Sequence, residues 1–150
     1  MDVTVRWGGV PALKNDKGQS STMVFLAETG SGHLFAMDGA PDGGGNNLAP
    51  RPMETLLAGA GGCSAYDVVL ILRRGRQDIR GCEVRLSADR ATEDPMVFTA
   101  IRFHYVVRGR NLKPEAVERA VKLSHEKYCS ASIMLGKTAE LSHSIEIIED

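Results

Sequence analysis

From Arg51 to Gly75 the sequence RPMETLLAGAGGCSAYDVVLILRRG leaves almost no polar face. Leu56, Leu57, Val68, Val69, Leu70, Ile71 and Leu72 fall on every side of a 3.6-residue turn. A helix of this kind is expected in the middle of a fold. Its ends are marked: Pro52 suits the first helical position, Glu54 the positive end of the dipole, Arg73 and Arg74 the negative end, and Gly75 the stop. Before it, Val3, Val5 and Trp7 alternate between Met1 and Gly8 as in a half-buried strand. Lys14 to Gly18 is turn chemistry, Thr22 to Glu28 reads as the partner strand of a hairpin, and His33 to Met37 as a third short strand. Ala40 to Asn47 is a loop, expected to be the most flexible part of the chain. Its glycines lack the spacing of a phosphate-cradling motif.

After the helix the period returns to two. Cys82, Val84 and Leu86 alternate within Arg80 to Ala88, and β-branched and aromatic residues fill Phe98 to Val107, with Thr92 to Pro95 as the turn between. This predicts a long antiparallel hairpin. Lys113-Pro114-Glu115 opens a second helix running to about Tyr128, with Val117, Ala120, Val121 and Ser124 as its apolar or small stripe. Ser130 is placed to cap a short helix ending at Gly136, and Ser142 to Ile148 closes as a strand. The order of elements predicts an α+β domain, with two main helices segregated from antiparallel sheet, occupying residues 1–150 as a single domain.

A length of 150 residues is enough to bury a proper core. The net charge of -1, with no block of like charge, argues against nucleic-acid binding. No signal-peptide pattern opens the chain, so a cytoplasmic location is expected. Asp67 interrupts the one long apolar run, which speaks against a membrane span. Three cysteines in such a chain suggest buried thiols or redox chemistry rather than a disulfide scaffold.

Gly59, Gly61 and Gly62 sit inside the central helix, where each costs about 1 kcal/mol against alanine. Such residues are tolerated where a helix or a substrate must approach the backbone, and Cys63 follows them directly. A lone cysteine here would be only a small hydrophobe. A second, Cys129, stands at the junction of the second and third helices, where the helix dipole and Lys127 favour a thiolate. Cys82, in a strand pattern, reads as structural. The four histidines show no metal spacing. His125, four residues before Cys129, could pair with it or hold a metal, although a core-edge role accounts for it as well. Asp67, one turn after Cys63, would raise the thiol pKa unless it binds an arginine. Tyr66 is read as a pocket wall or core. No metal or cofactor is expected.

PMETLLAGAGGCSAYDV, followed a hairpin and a helix later by EKYCSAS, resembles the OsmC/Ohr family of osmotically inducible and organic hydroperoxide resistance proteins, particularly its YhfA-like branch. The resemblance implies an intertwined homodimer with its active sites at the subunit interface. It also implies thiol-dependent reduction of organic hydroperoxides in oxidative-stress defence, with a dithiol reductant of unknown identity. Cys63 would be the attacking thiol and Cys129 the one that resolves its sulfenic acid into a disulfide. Peroxidases of the family pair a glutamate directly after the helix-opening proline with an arginine. Here Met53 takes that position and Glu54 comes one residue, about 100°, further round. Glu54 and Arg51 are the candidates for these charges, with Arg6 less well placed. Met53, Leu56, Ile133 and Met134 would favour an alkyl peroxide, or serve as core. The displaced glutamate also suits a different reading, a non-catalytic protein of the same fold that binds a small apolar ligand at the dimer interface.

Overall fold

The computed structural model describes residues 1–7 and 23–150, so the expected Lys14–Gly18 turn and the first residue of the second strand lie outside the described residues. The chain divides into two compact units, residues 1–56 and 57–150. The first holds three antiparallel strands, β1 (Val3–Trp7), β2 (Phe25–Thr29) and β3 (Leu34–Met37), in the order β1-β2-β3. The register sets Val5 opposite Ala27 and Trp7 opposite Phe25, so the alternating apolar residues share one face. On that face Val3, Val5 and Trp7 remain 55%, 52% and 55% exposed.

The loop from Ala40 to Asn47 is tied down by a carboxylate. Asp38 is fully buried and accepts the backbone N–H groups of Gly39, Asn46 and Leu48 at 2.7, 3.0 and 3.0 Å. These donors hold its pKa below the usual carboxylate range, that of Leu48 contributing most. Gly45 lies so close to the Gly39 carbonyl that no Cβ would fit.

The central helix α1 spans Pro52–Arg74, ending where the sequence signals place its ends. Its buried residues are Ala60, Gly61, Ser64, Val68 and Leu72, a stripe one turn apart along one side. A helix expected to be buried all round is therefore covered on one face only. Leu56 and Tyr66 are 48% and 70% exposed. By length and composition α1 is apolar enough to cross a membrane.

In the second unit β4 (Asp78–Arg90) and β5 (Phe98–Arg110) form the predicted antiparallel hairpin. The closing strand β6 (Glu140–Glu149) lies on the other side of β5 and runs parallel to it, Ile145 beside Tyr105. This corrects the expectation of a wholly antiparallel sheet. The helices between β5 and β6 carry the chain back to the start of the sheet, as a parallel crossover requires. Central in its sheet, β5 buries Ile101, Phe103, Tyr105, Val106 and Val107.

Helix α2 (Pro114–Leu123) buries Val117, Ala120 and Val121, as its stripe predicts. It does not continue regularly to Tyr128. Residues Ser124–Tyr128 widen into a π turn, closed by the Cys129 N–H on the Ser124 carbonyl at 2.8 Å. The short helix α3 (Ser130–Leu135) follows, and its cap is Cys129 rather than Ser130.

Candidate active site around Cys63 and Cys129

Cys129 is fully buried, and its sulfur is held from two sides. The Ser132 hydroxyl and N–H both donate to Sγ, at 3.1 and 3.4 Å, while the thiol points to the Ala60 carbonyl of α1 at 3.9 Å. Ala60 lies one turn before Cys63, so this contact sets Cys129 against the same stretch of helix. Cys63 is half-buried and near enough to Cys129 to influence the ionisation of its thiol. Burial pushes the Cys129 thiol up, the two Ser132 donors offset part of that rise, and Cys63 adds to it. The arrangement therefore has one thiol open to small molecules and one shielded thiol beside it, both free. Cys82 is also free and half-buried in β4, where burial raises its pKa.

Behind the pair lies a chain of polar side chains that the sequence did not reveal as a unit. Ser124 donates to the Asp67 carboxylate at 3.2 Å and contacts Ser64 at 2.9 Å. Ser64 bonds to the Tyr105 hydroxyl, which meets His125 Nε2 at 2.8 Å. Ser64, Ser124 and Tyr105 are all fully buried. His125 thus belongs to Tyr105 rather than to Cys129. It stacks on His143 at 5.0 Å and sets its edge against Phe103 at 4.7 Å. Burial first, and His143 second, lower its pKa to about 4. Burial pushes the Tyr105 phenol up. Asp67 accepts from a serine hydroxyl, and Tyr66 is exposed. The signals were present in Tyr105, a phenol among the alternating apolar residues of β5, and in two small polar residues on buried helix stripes.

Glu54 occupies the first turn of α1, where its Oε2 accepts the backbone N–H of Arg51 at 2.9 Å, a capping-box bond. Among the described residues of 57–150, no arginine hydrogen-bonds to Cys63. Among the described residues, no group of three or more His, Cys, Asp and Glu side chains is placed to hold a metal ion.

Residues 43–144 match the family model described as OsmC-like protein. The chain belongs to the OsmC-like family. The matched segment contains α1, both cysteines of the pair and the polar chain behind them. Among OsmC-like relatives, Protein YhfA of Escherichia coli is 51% identical over 126 residues, covering 84% of this chain and 91% of that protein. A hypothetical protein from Aquifex aeolicus superposes with a TM-score of 0.79 at 28% identity, over 99% of this chain and 96% of the other. The Organic Hydroperoxide Resistance Protein OhrB of Bacillus subtilis shares the OsmC fold, with a TM-score of 0.58 at 19% identity over 97% and 96% of the two chains.

Proposed function

We propose that this OsmC-like protein is a thiol-dependent peroxidase for organic hydroperoxides. The observation that carries the reading is the half-buried Cys63 thiol beside the shielded Cys129. The Cys63 thiolate attacks the outer oxygen of the peroxide and the O–O bond breaks. Cys63 becomes a sulfenic acid, and the alkoxide takes up a proton and leaves as the alcohol. Cys129 then attacks the Cys63 sulfur, its thiol proton passing to the departing oxygen. That oxygen leaves as water, and a disulfide remains for an external dithiol to reduce. Burying Cys129 keeps it protonated and spared from oxidation until the sulfenic acid stands beside it.

Arg51 and Glu54 are the residues we assign to the reaction's charge, a guanidinium for the developing alkoxide and a carboxylate to orient it. Only one Glu54 oxygen is engaged in capping. Ile133 and Met134, 39% and 67% exposed, supply apolar surface of the kind an alkyl peroxide would use. The uncovered face of α1 supports a homodimer, and the work proposed is oxidative-stress defence in the cytoplasm. The fold shared with proteins named for organic hydroperoxide resistance agrees with this reading.

A second reading, binding of a small apolar ligand at the dimer interface, is favoured by the α1 groove of about 470 Å³ lined by Gly62, Ala65, Tyr66, Val69, Leu70 and Arg73. Incubation with cumene hydroperoxide and a dithiol separates the two. Consumption that Cys63→Ser abolishes supports the peroxidase. No consumption, with both thiols still reduced, leaves the binder.

A further inference from the structure

The polar chain behind the cysteines has a direction. The Asp67 carboxylate is an acceptor, so Ser124 spends its proton there. The contact between Ser124 and Ser64 then needs the Ser64 proton, and the contact between Ser64 and Tyr105 needs the phenol proton. His125 must in turn donate from Nε2 to Tyr105. Every hydroxyl donates once and accepts once, and no buried side-chain N or O among the described residues is left unpaired.

The ends of this chain matter more than its middle. Ser64 directly follows Cys63 on α1. Ser124 and His125 are the first two residues of the π turn, and the Ser124 carbonyl accepts the N–H of Cys129. A π turn is one residue wider than the helix before it and persists where surrounding contacts hold it. Here those contacts are Ser64 and Asp67 from α1 and Tyr105 from β5. One strut thus fixes both the helix at Cys63 and the turn that delivers Cys129.

We infer that Tyr105 and His125 are positioning residues for Cys129: through Ser64 and Ser124 they hold the π turn in the form that sets the Cys129 sulfur beside Cys63. The inference rests on the paired-thiol reading of the site but not on the identity of the oxidant. Neither residue touches a reacting atom.

The test uses the full chain in glutathione redox buffers, reading the dithiol–disulfide equilibrium of Cys63 and Cys129 by peptide mapping. Tyr105→Phe removes one oxygen, and His125→Leu removes the donor. Each should shift the equilibrium toward the dithiol by roughly tenfold, since small displacements of reacting groups are costly. His125→Gln, which keeps an amide donor near the Nε2 position, should stay within about threefold of wild type. A merely structural loss would show no such rescue. With cumene hydroperoxide, Tyr105→Phe should form the Cys63 sulfenic acid at the wild-type rate but accumulate it, as trapped by dimedone. Should Tyr105→Phe fail to yield folded protein, the two His125 variants decide alone, at a ring that is only part-buried. Equilibria within about twofold of wild type for both Tyr105→Phe and His125→Leu would overturn the inference, since a lost buried hydrogen bond shifts an equilibrium further than that. So would a wild-type protein that forms no Cys63–Cys129 disulfide at any glutathione ratio. If the shifts occur but no hydroperoxide oxidises Cys63, the positioning role stands and the peroxidase reading falls.

Discussion

Cδ1 of Leu86 on β4 lies so close to Gly61 of α1 that a Cβ built on the glycine would stand 2.6 Å from it. This is the close approach that the sequence predicts for a glycine inside a helix. Gly61→Ala gains about 1 kcal/mol of helix propensity, but overpacking a buried contact costs about 1–3 kcal/mol. We expect a net loss of about 1 kcal/mol in urea denaturation. A variant more stable than wild type would show that Leu86 simply turns aside.

Gly59 and Gly62 differ, since a Cβ at either meets nothing within 4 Å among the described residues. Their use becomes clear if a second copy covers the open face of α1. Tyr66→Glu, which puts a charge on that face, should convert a dimer to monomer in light scattering at low micromolar concentration. A wild-type protein already monomeric there would remove the dimer from the proposal.

Replacing Cys129 by serine should permit one turnover of hydroperoxide and then stall, with Cys63 left as a sulfenic acid open to over-oxidation. Cys82→Ser should leave the rate unchanged. Mass mapping after peroxide treatment should find Cys63 joined to Cys129 and Cys82 free. A bridge that includes Cys82 would reverse the assignment.

Because Glu54 accepts the Arg51 N–H, its capping and its charge can be separated. Gln also serves in a capping box, so Glu54→Gln should keep stability within about 0.5 kcal/mol of wild type. Loss of the charge should slow hydroperoxide consumption by about tenfold, less than the loss of a direct transition-state contact, because Glu54 would act through Arg51. An unchanged rate would confine Glu54 to capping.

His125 gives the stability a pH dependence. Its folded pKa of about 4 lies below the 6.5 of the free side chain, so the unfolded chain takes up the proton first. The contribution is complete above pH 6.5 and is lost as pH falls from there to about 4. The ring faces Tyr105, Phe103 and His143 and is still part-exposed, which limits the loss to about 1–2 kcal/mol. His125→Gln should flatten the profile over this window, as followed by thermal melts. Nitrogen-15 shifts of wild type near pH 7 should report the Nε2–H tautomer.

The limits of α1, the β4–β5 hairpin and the stripe of α2 were legible because each rests on local chemistry: Pro52 and Gly75 as ends, alternation from Cys82 to Leu86, Val117 with Ala120 and Val121. The two cysteines were legible as a pair through resemblance, as their spacing of 66 residues carries no geometry by itself. What escaped was set by tertiary pairing. The direction of β6 depends on which side of β5 it joins. The π turn depends on Ser64 and Tyr105, remote in sequence from Ser124. Asp38, buried by three backbone donors, looks like any loop carboxylate until the loop is closed.

The parallel seam between β5 and β6 has a temporal consequence. Such a seam cannot zip from a hairpin. It must wait until Asn111 to Ala139 has folded back as a crossover, and non-local pairing of this kind is the slow part of folding. Cys63 lies on a helix with strong local signals, whereas the segment bearing Cys129 lies inside the crossover that the seam has to close. A newly made chain is thus expected to carry the Cys63 thiol for an interval before Cys129 is brought beside it.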